Sequence, residues 1–257
     1  MDSHMKIGLI AAVPEEINTL HQDLSFADEL VYAERTYYIG NYNDAEIVLV
    51  YSRIGKVAAS ITACTLIEKF NVDTIIFTGL AGAVPGNLNR GDIVLADQAY
   101  QHDLDARPLC DKQFEVPLTG RRLLDLTGDE FTLAQQAIRK FIDHLDDYVK
   151  YEDLQEQQLQ KPRFKIGTIA TGDHFISDVT ANATLTNNKI QPLAVEMEGA
   201  AIAQVCAEHQ IPFILIRIIS DKADGSAHDN LQAFSEKLAS RYASGIVQQL
   251  LKLLDER

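Results

Sequence analysis

The chain has 257 residues, is 46% hydrophobic and carries 14 Gly and 7 Pro, enough for one large α/β domain or two small ones around a sizeable core. Its formal net charge of -14 would be repelled by a nucleic-acid duplex or an anionic membrane, which argues against both as partners. No apolar run reaches the roughly 18–20 residues of a membrane span, and Cys64, Cys110 and Cys206 are far apart, form no CxxC pair and suit a reducing cytoplasm.

Met1-Asp2-Ser3-His4, ahead of a second Met, reads as a cloning remnant, so the domain is taken as residues 5–257. Lys6 to Val13 is a short apolar run closed by Pro14, which predicts a buried first strand. Pro14-Glu15-Glu16 opens a helix with proline in its first turn, and Ile17 and Leu20 share one face. Leu30 to Tyr38 and Asp44 to Ser52 alternate with polar residues and predict an antiparallel meander. Gly55-Lys56-Val57-Ala58-Ala59-Ser60 starts a helix running to about Phe70. Val72 to Thr78 reads as a strand, Gly79 to Gly86 as a Gly-rich loop, and Asp92 to Gln101 as another strand. Leu104 to about Gly128 has turn residues and little period, which predicts a long loop of the functional kind. Phe131 to about Tyr148 is an amphipathic helix, and Glu152 to Lys161 a Gln-rich surface connection. Phe164 to Thr171 is a strand, Asp178 to Asn187 a helix, and Leu193 to Val195 a strand that runs through Glu196-Met197-Glu198 into a helix over Ala200 to Cys206. Pro212 to Ser220 is an apolar strand interrupted by Arg217, and Asn230 to Leu254 a long terminal helix. Strands alternating with helices predict a doubly wound sheet, and the early meander makes it mixed: a single-domain, three-layer α/β/α fold.

Polar or Gly-rich groups follow four of these strands, where ligands bind in open α/β sheets. They are Glu16, Gly79-Leu80-Ala81-Gly82, Glu196-Met197-Glu198, and Ser220-Asp221 with Arg217 inside its strand. Singly, most have an ordinary structural explanation: acids at a helix start answer the macrodipole, by roughly 0.3–1 kcal/mol each, glycines make turns, and Asp caps helices. A guanidinium in an apolar strand needs a partner. Acids from three strand ends and one Arg converging on one sheet edge are harder to explain as capping.

Other motifs fail or stay open. Gly55-Lys56 is not a P-loop, because Val50 and Val57 stand where Gly and Ser/Thr belong. His102-Asp103-Leu104-Asp105 has no second ligand cluster at metal-binding spacing, so no metal is expected. Asp173 follows a strand and suits either a ligand contact or a buried structural role.

With Met5-Lys6-Ile7-Gly8-Leu9-Ile10, Glu15-Glu16, Gly55-Lys56-Val57-Ala58-Ala59, Thr78-Gly79-Leu80-Ala81-Gly82, Gly91-Asp92-Ile93-Val94, Gly172-Asp173-His174-Phe175-Ile176, Val195-Glu196-Met197-Glu198-Gly199 and Arg217-Ile218-Ile219-Ser220-Asp221, the sequence resembles the methylthioadenosine/adenosylhomocysteine nucleosidases of the purine nucleoside phosphorylase-like superfamily. The resemblance spans nearly the whole chain from Met5 and is poor from Leu104 to Lys161. It implies a nucleoside phosphorylase/hydrolase-like fold and hydrolysis of an adenine N-glycosidic bond without cofactor. It implies a small adenine nucleoside as substrate and a cytoplasmic homodimer. It implies Glu16 as the base that activates water, Arg217 as its helper, and Asp221 as the group binding the adenine edge and delivering a proton toward N7. Ser220 would hold Asp221, Glu198 would bind the ribose hydroxyls, and Met197 would pack on the ribose. Phe175 would stack on the purine and Ile176 present its backbone. Ile54 would line the 5′ pocket, with Glu196, Ala81 and Gly82 in the substrate wall. A phosphorylase of this superfamily typically has a Gly-Asp-Pro loop after its first strand; this chain has Ala12-Val13-Pro14-Glu15-Glu16, which favours a hydrolase. The chain also departs from the nucleosidases: Leu80 stands where a serine is frequent, the aromatic lid is replaced near Leu231, and the loop from Asp105 to Pro117 differs. A related enzyme for aminofutalosine or inosine, a phosphorylase, and a non-catalytic nucleoside-binding protein are the alternatives.

Overall fold

The structure is a computed structural model that describes residues 5–84, 88–176, 185, 190–221, 234 and 238–256. The expected helix over 178–187, most of the start of the terminal helix, Leu231 and the first four residues lie outside the described residues.

The first strand, β1 (Lys6–Ala11), is followed by a 3-10 turn, Pro14–Glu16, and by α1 (Asn18–Asp23). The expected meander is β2 (Phe26–Tyr32), β3 (Arg35–Tyr42) and β4 (Ala45–Tyr51), paired antiparallel throughout. Leu30 to Tyr38 is therefore two strands rather than one. The hairpin turns at Ala33 and Glu34, both at positive φ (48° and 58°), a conformation usually announced by Asn or Gly. Then come α2 (Lys56–Phe70), β5 (Thr74–Ala83), β6 (Ile93–Gln101), the short β7 (Leu124–Asp125) and α3 (Asp129–Asp143). α4 (Tyr151–Glu156) lies in the Gln-rich tract, where a connection without helix was expected; buried Leu154 gives that turn an inward face. A 3-10 turn, Leu145–Asp147, follows α3, and β8 (Phe164–Thr171), β9 (Ala194–Glu196), α5 (Gly199–His209), β10 (Phe213–Asp221) and α6 (Ser240–Asp255) complete the described elements.

Alternation along the strands makes the layers. Ile7, Leu9, Ile47, Leu49, Ile76, Ile214 and Ile216 face α1, α3 and α6. Ile10, Val48, Val50, Ile75, Phe77 and Leu215 face α2 and α5. Both faces are covered, which is why these strands read as continuous apolar runs.

The sheet does more than lie between helices. The strand order is β10-β6-β8-β9-β5-β1-β4-β3-β2, and β10 also pairs with β5. Strands β5, β10, β6, β8 and β9 therefore close on themselves, and the meander extends from β5 as an open wing. Within the closed part, β5 and β10 are parallel, whereas β10–β6 and β5–β9 are antiparallel. β5 and β9 overlap only through the last residues of β5 and the first two of β9, Gly82↔Val195 and Ala83↔Ala194. That overlap brings strand ends from oppositely directed strands to one place.

Candidate active site

β5 runs through Gly79 to Ala83, where a loop was expected. Gly79 is there for access. A Cβ on Gly79 would lie 2.6 Å from Glu16 Oε1, so the strand can pass under that carboxylate only without a side chain.

Glu16 is placed by its own turn. Pro14 starts the turn where a missing N–H costs nothing. The carboxylate folds back: Oε2 accepts the N–H groups of Ala12 (2.8 Å) and Val13 (3.3 Å), and Oε1 accepts that of Leu80 (2.9 Å). Burial raises its pKa, against the opposing pull of Arg217 and the three N–H donors.

The two acids at the end of β9 divide. Glu196 accepts from the N–H groups of Glu198 (3.2 Å) and Gly199 (2.8 Å), from the Thr171 hydroxyl, and from Arg217 Nη2 at 2.5 Å. It thus satisfies the start of α5, the ordinary reading of an acid there. Glu198 makes no cap; its Oε1 accepts the Gly55 N–H at 2.8 Å. Burial, and then the neighbouring Glu196 charge, push the Glu198 carboxyl up to about 8.

Arg217 is 1% exposed, its guanidinium 3.8 Å from the centre of the Phe77 ring. It is not among the residues lining the cavity; it lies behind them, joined to Glu196. Glu16, Glu196 and Glu198 all share this one guanidinium, so full ionisation of the three leaves an excess of buried negative charge.

Asp221 is aimed by a bulge. Ile219 pairs with Ala81 and Asp221 with Gly82, which leaves Ser220 as the extra residue. The Ser220 hydroxyl donates to Asp221 Oδ2 at 2.6 Å and lies 3.3 Å from the Ala81 carbonyl oxygen.

These groups border one cavity of about 190 Å³. Of the residues singled out in the sequence, Glu16, Ile54, Ala81, Gly82, Phe175, Ile176, Glu196, Met197, Glu198, Ser220 and Asp221 line it, and Arg217 does not. Ala12, Val13, Leu80, His174 and Val195 also line it; all stand in the segments quoted from the sequence, and none of them had been given a substrate contact there. Ile54 and Phe175 are half exposed at its mouth, whereas Ile176 is buried. A larger cavity of about 650 Å³, between α1, the β3–β4 turn and α6, is lined by polar groups bound to one another, such as Asp23 with Ser244 and Gln248. Among the described residues, no group of three or more His, Cys, Asp or Glu is arranged to hold a metal ion.

A closed mixed α/β sheet with several buried carboxylates lining one small cavity defines a protein of the nucleoside phosphorylase and hydrolase class. The sequence matches the Phosphorylase superfamily over residues 6–252. It is 35% identical over 247 residues to the 5′-methylthioadenosine/S-adenosylhomocysteine nucleosidase of Staphylococcus aureus (strain JH9), covering 95% of this chain and 100% of that one. The S-adenosylhomocysteine nucleosidase of Streptococcus pyogenes, solved in complex with 5-methylthiotubericidin, superposes with a TM-score of 0.82 at 32% identity over 98% of both chains. The futalosine hydrolase of Helicobacter pylori strain 26695 superposes with a TM-score of 0.81 at 28% identity, over 97% of this chain and 98% of that one. The chain belongs to the Phosphorylase superfamily and, within it, to the 5′-methylthioadenosine/S-adenosylhomocysteine nucleosidase family.

Proposed function

We propose that this protein hydrolyses the N-glycosidic bond of 5′-methylthioadenosine, S-adenosylhomocysteine or both, giving adenine and the 5-thioribose product. One observation carries the choice of hydrolase: a buried carboxylate, Glu16, occupies the end of β1 and is fixed there by three backbone N–H groups. That arrangement repels phosphate and accepts a proton from water.

In this reading Asp221 donates a proton toward N7 as the C1′–N9 bond breaks, because adenine leaves poorly as an anion. The ribosyl fragment becomes oxocarbenium-like. Glu16 takes one proton from water, whose oxygen bonds to C1′ on the face opposite the departing base. This is the two-carboxylate logic of an inverting glycosidase. Glu198 accepts the ribose hydroxyls and Met197 packs on the sugar. Phe175 and Ile176 take the purine, and Ile54 the 5′ substituent. Glu196 acts at one remove, by holding Arg217 and the start of α5, and Arg217 supports Glu16 and Glu198 through its charge rather than by contact with water. Leu80 contributes its N–H to Glu16 and no side-chain donor.

The test is adenine release from methylthioadenosine in phosphate-free buffer, with Glu16→Gln beside the parent protein. Release without phosphate, lowered about 10²–10⁴-fold in the variant, is expected. Release only on adding phosphate would overturn the hydrolase. The likeness to a futalosine hydrolase makes futalosine the first competing substrate to try.

A cytoplasmic homodimer in methionine salvage completes the proposal. Its support is three free cysteines and an exposed apolar strip, Ile54, Val57 and Ile61, along the pocket mouth and α2. No helix among the described residues is long and apolar enough to cross a membrane.

A further inference from the structure

Three sequence features remain outside this mechanism: Gly55-Lys56, which is not a P-loop; His102-Asp103, which is not a metal motif; and Asp173. The structure brings them together at the rim of the cavity, from the segments after β4, β6 and β8.

Lys56 Nζ lies 2.6 Å from Asp103 Oδ1 and 3.8 Å from Asp173 Oδ2. The Lys56 N–H donates to Asp173 Oδ1 at 2.9 Å, and the Asp173 N–H donates to Asp103 Oδ2 at 2.9 Å. One lysine and two carboxylates thus tie the three segments into a closed ring of contacts. What lies on either side of that ring gives it a purpose. Gly55, next to Lys56, donates its N–H to Glu198. It sits at φ 99°, and a Cβ there would approach Asp173 Oδ1 to 3.3 Å, so the two segments are pressed together. Beyond Asp173, the chain supplies His174, Phe175 and Ile176 to the lining of the same cavity. His102 seats this second segment from below: a Cβ on Gly172 would fall 2.3 Å from its Nε2.

We propose that Lys56, Asp103 and Asp173 are positioning residues that set the ribose end of the pocket, by fixing the Gly55 N–H on Glu198 and the distance from Glu198 to the Phe175–Ile176 wall. This rests on the reading of Glu198 as the acceptor of the ribose hydroxyls. None of the three lines the cavity. They act through the backbone at Gly55 and through the segment that carries Phe175. A charged ring of this kind holds geometry that the exposed loops would not keep alone, and small displacements of a binding group are felt strongly in binding and rate.

The experiment compares the parent protein with Lys56→Met, Asp103→Asn and Lys56→Arg, measuring kcat and KM for methylthioadenosine and for its 2′-deoxy analogue. The expected result is a roughly tenfold rise in KM for the ribonucleoside in the Met and Asn variants. The deoxy analogue should show a much smaller change, and Lys56→Arg should recover most of the loss. Equal losses on both substrates, or a fall in melting temperature with no change in the ratio of the two KM values, would overturn the positioning role. If the parent protein cleaves neither substrate, the hydrolase reading fails by itself. The same ratio is then read from calorimetric affinities for the two nucleosides. A parent protein that binds neither one overturns the clamp together with the role of Glu198.

Discussion

At the floor of the pocket, Glu16, Glu196, Glu198 and Arg217 are buried, and much of what holds them is backbone N–H. At its rim, Lys56, Asp103 and Asp173 are partly exposed, and hold chiefly one another. Both sets pair carboxylates with one cation, yet they work differently. In the floor, desolvation dominates: it raises the Glu16 and Glu198 carboxyls although a guanidinium is near. At the rim, the Lys56 contact and the Asp173 N–H outweigh burial, and the Asp103 carboxyl is held below its usual value. Charge in the floor is tuned for chemistry at a cost in stability. Charge at the rim adds little stability and sets shape.

The largest expected effect separates the two directly. Arg217→Met leaves the floor carboxylates without their cation and should cost about 3–5 kcal/mol at neutral pH in urea unfolding. Lys56→Met at the rim should cost about 0–1 kcal/mol. Adding Glu196→Gln to Arg217→Met should recover part of the loss, because the two side chains share one interaction. Comparable costs at both places would erase the distinction.

A smaller effect follows from the sign of the Glu198 shift. The folded protein holds this proton more tightly than the unfolded chain, whose carboxyl has a pKa of 4.5. The stability it contributes is therefore full below about 4.5 and is lost as pH rises toward about 8. Glu198→Gln removes that loss while keeping an oxygen for the Gly55 N–H. Its melting temperature relative to the parent should be higher at pH 8 than at pH 5, by about 2–4 °C for each kcal/mol recovered. A difference independent of pH would place the titration elsewhere in the floor.

Much of this was legible in the sequence, for identifiable reasons. Strands buried on both faces announce themselves as apolar runs, so β1, β8 and β10 were found nearly to the residue. The acids at strand ends stood out against those runs. Closure of the sheet was not legible, because it rests on β10 pairing with both β5 and β6, and no local pattern encodes a strand's second neighbour. Gly79 to Gly82 read as a loop because a glycine needed for close approach to Glu16 looks, in sequence, like a glycine needed for a turn. The split between Glu196 and Glu198 was hidden for a similar reason. Both sit at a helix start and border the cavity, and only the neighbouring Thr171, Arg217 and Gly55, far away in the chain, decide which one is taken up by the helix start and the guanidinium and which one keeps a single backbone donor.

The smallest expected effect probes the rim without changing a residue. The Debye length falls from about 10 Å at 0.1 M salt to about 3 Å at 1 M, and exposed pairs are screened far more than buried ones. The rim contacts should weaken, and KM for methylthioadenosine should rise by about fivefold or less, in keeping with the 0.2–1 kcal/mol typical of exposed pairs. The floor groups are buried and screened much less, so kcat should hold. Asp103→Asn and Lys56→Met have already lost the pair that salt screens, and their KM should be flat across the same range. A kcat that falls with salt equally in the parent and both variants would mean that ions reach Glu16 and Arg217. The floor would then be an open electrostatic site, and the contrast between a buried chemical floor and a shape-setting rim would no longer describe this pocket.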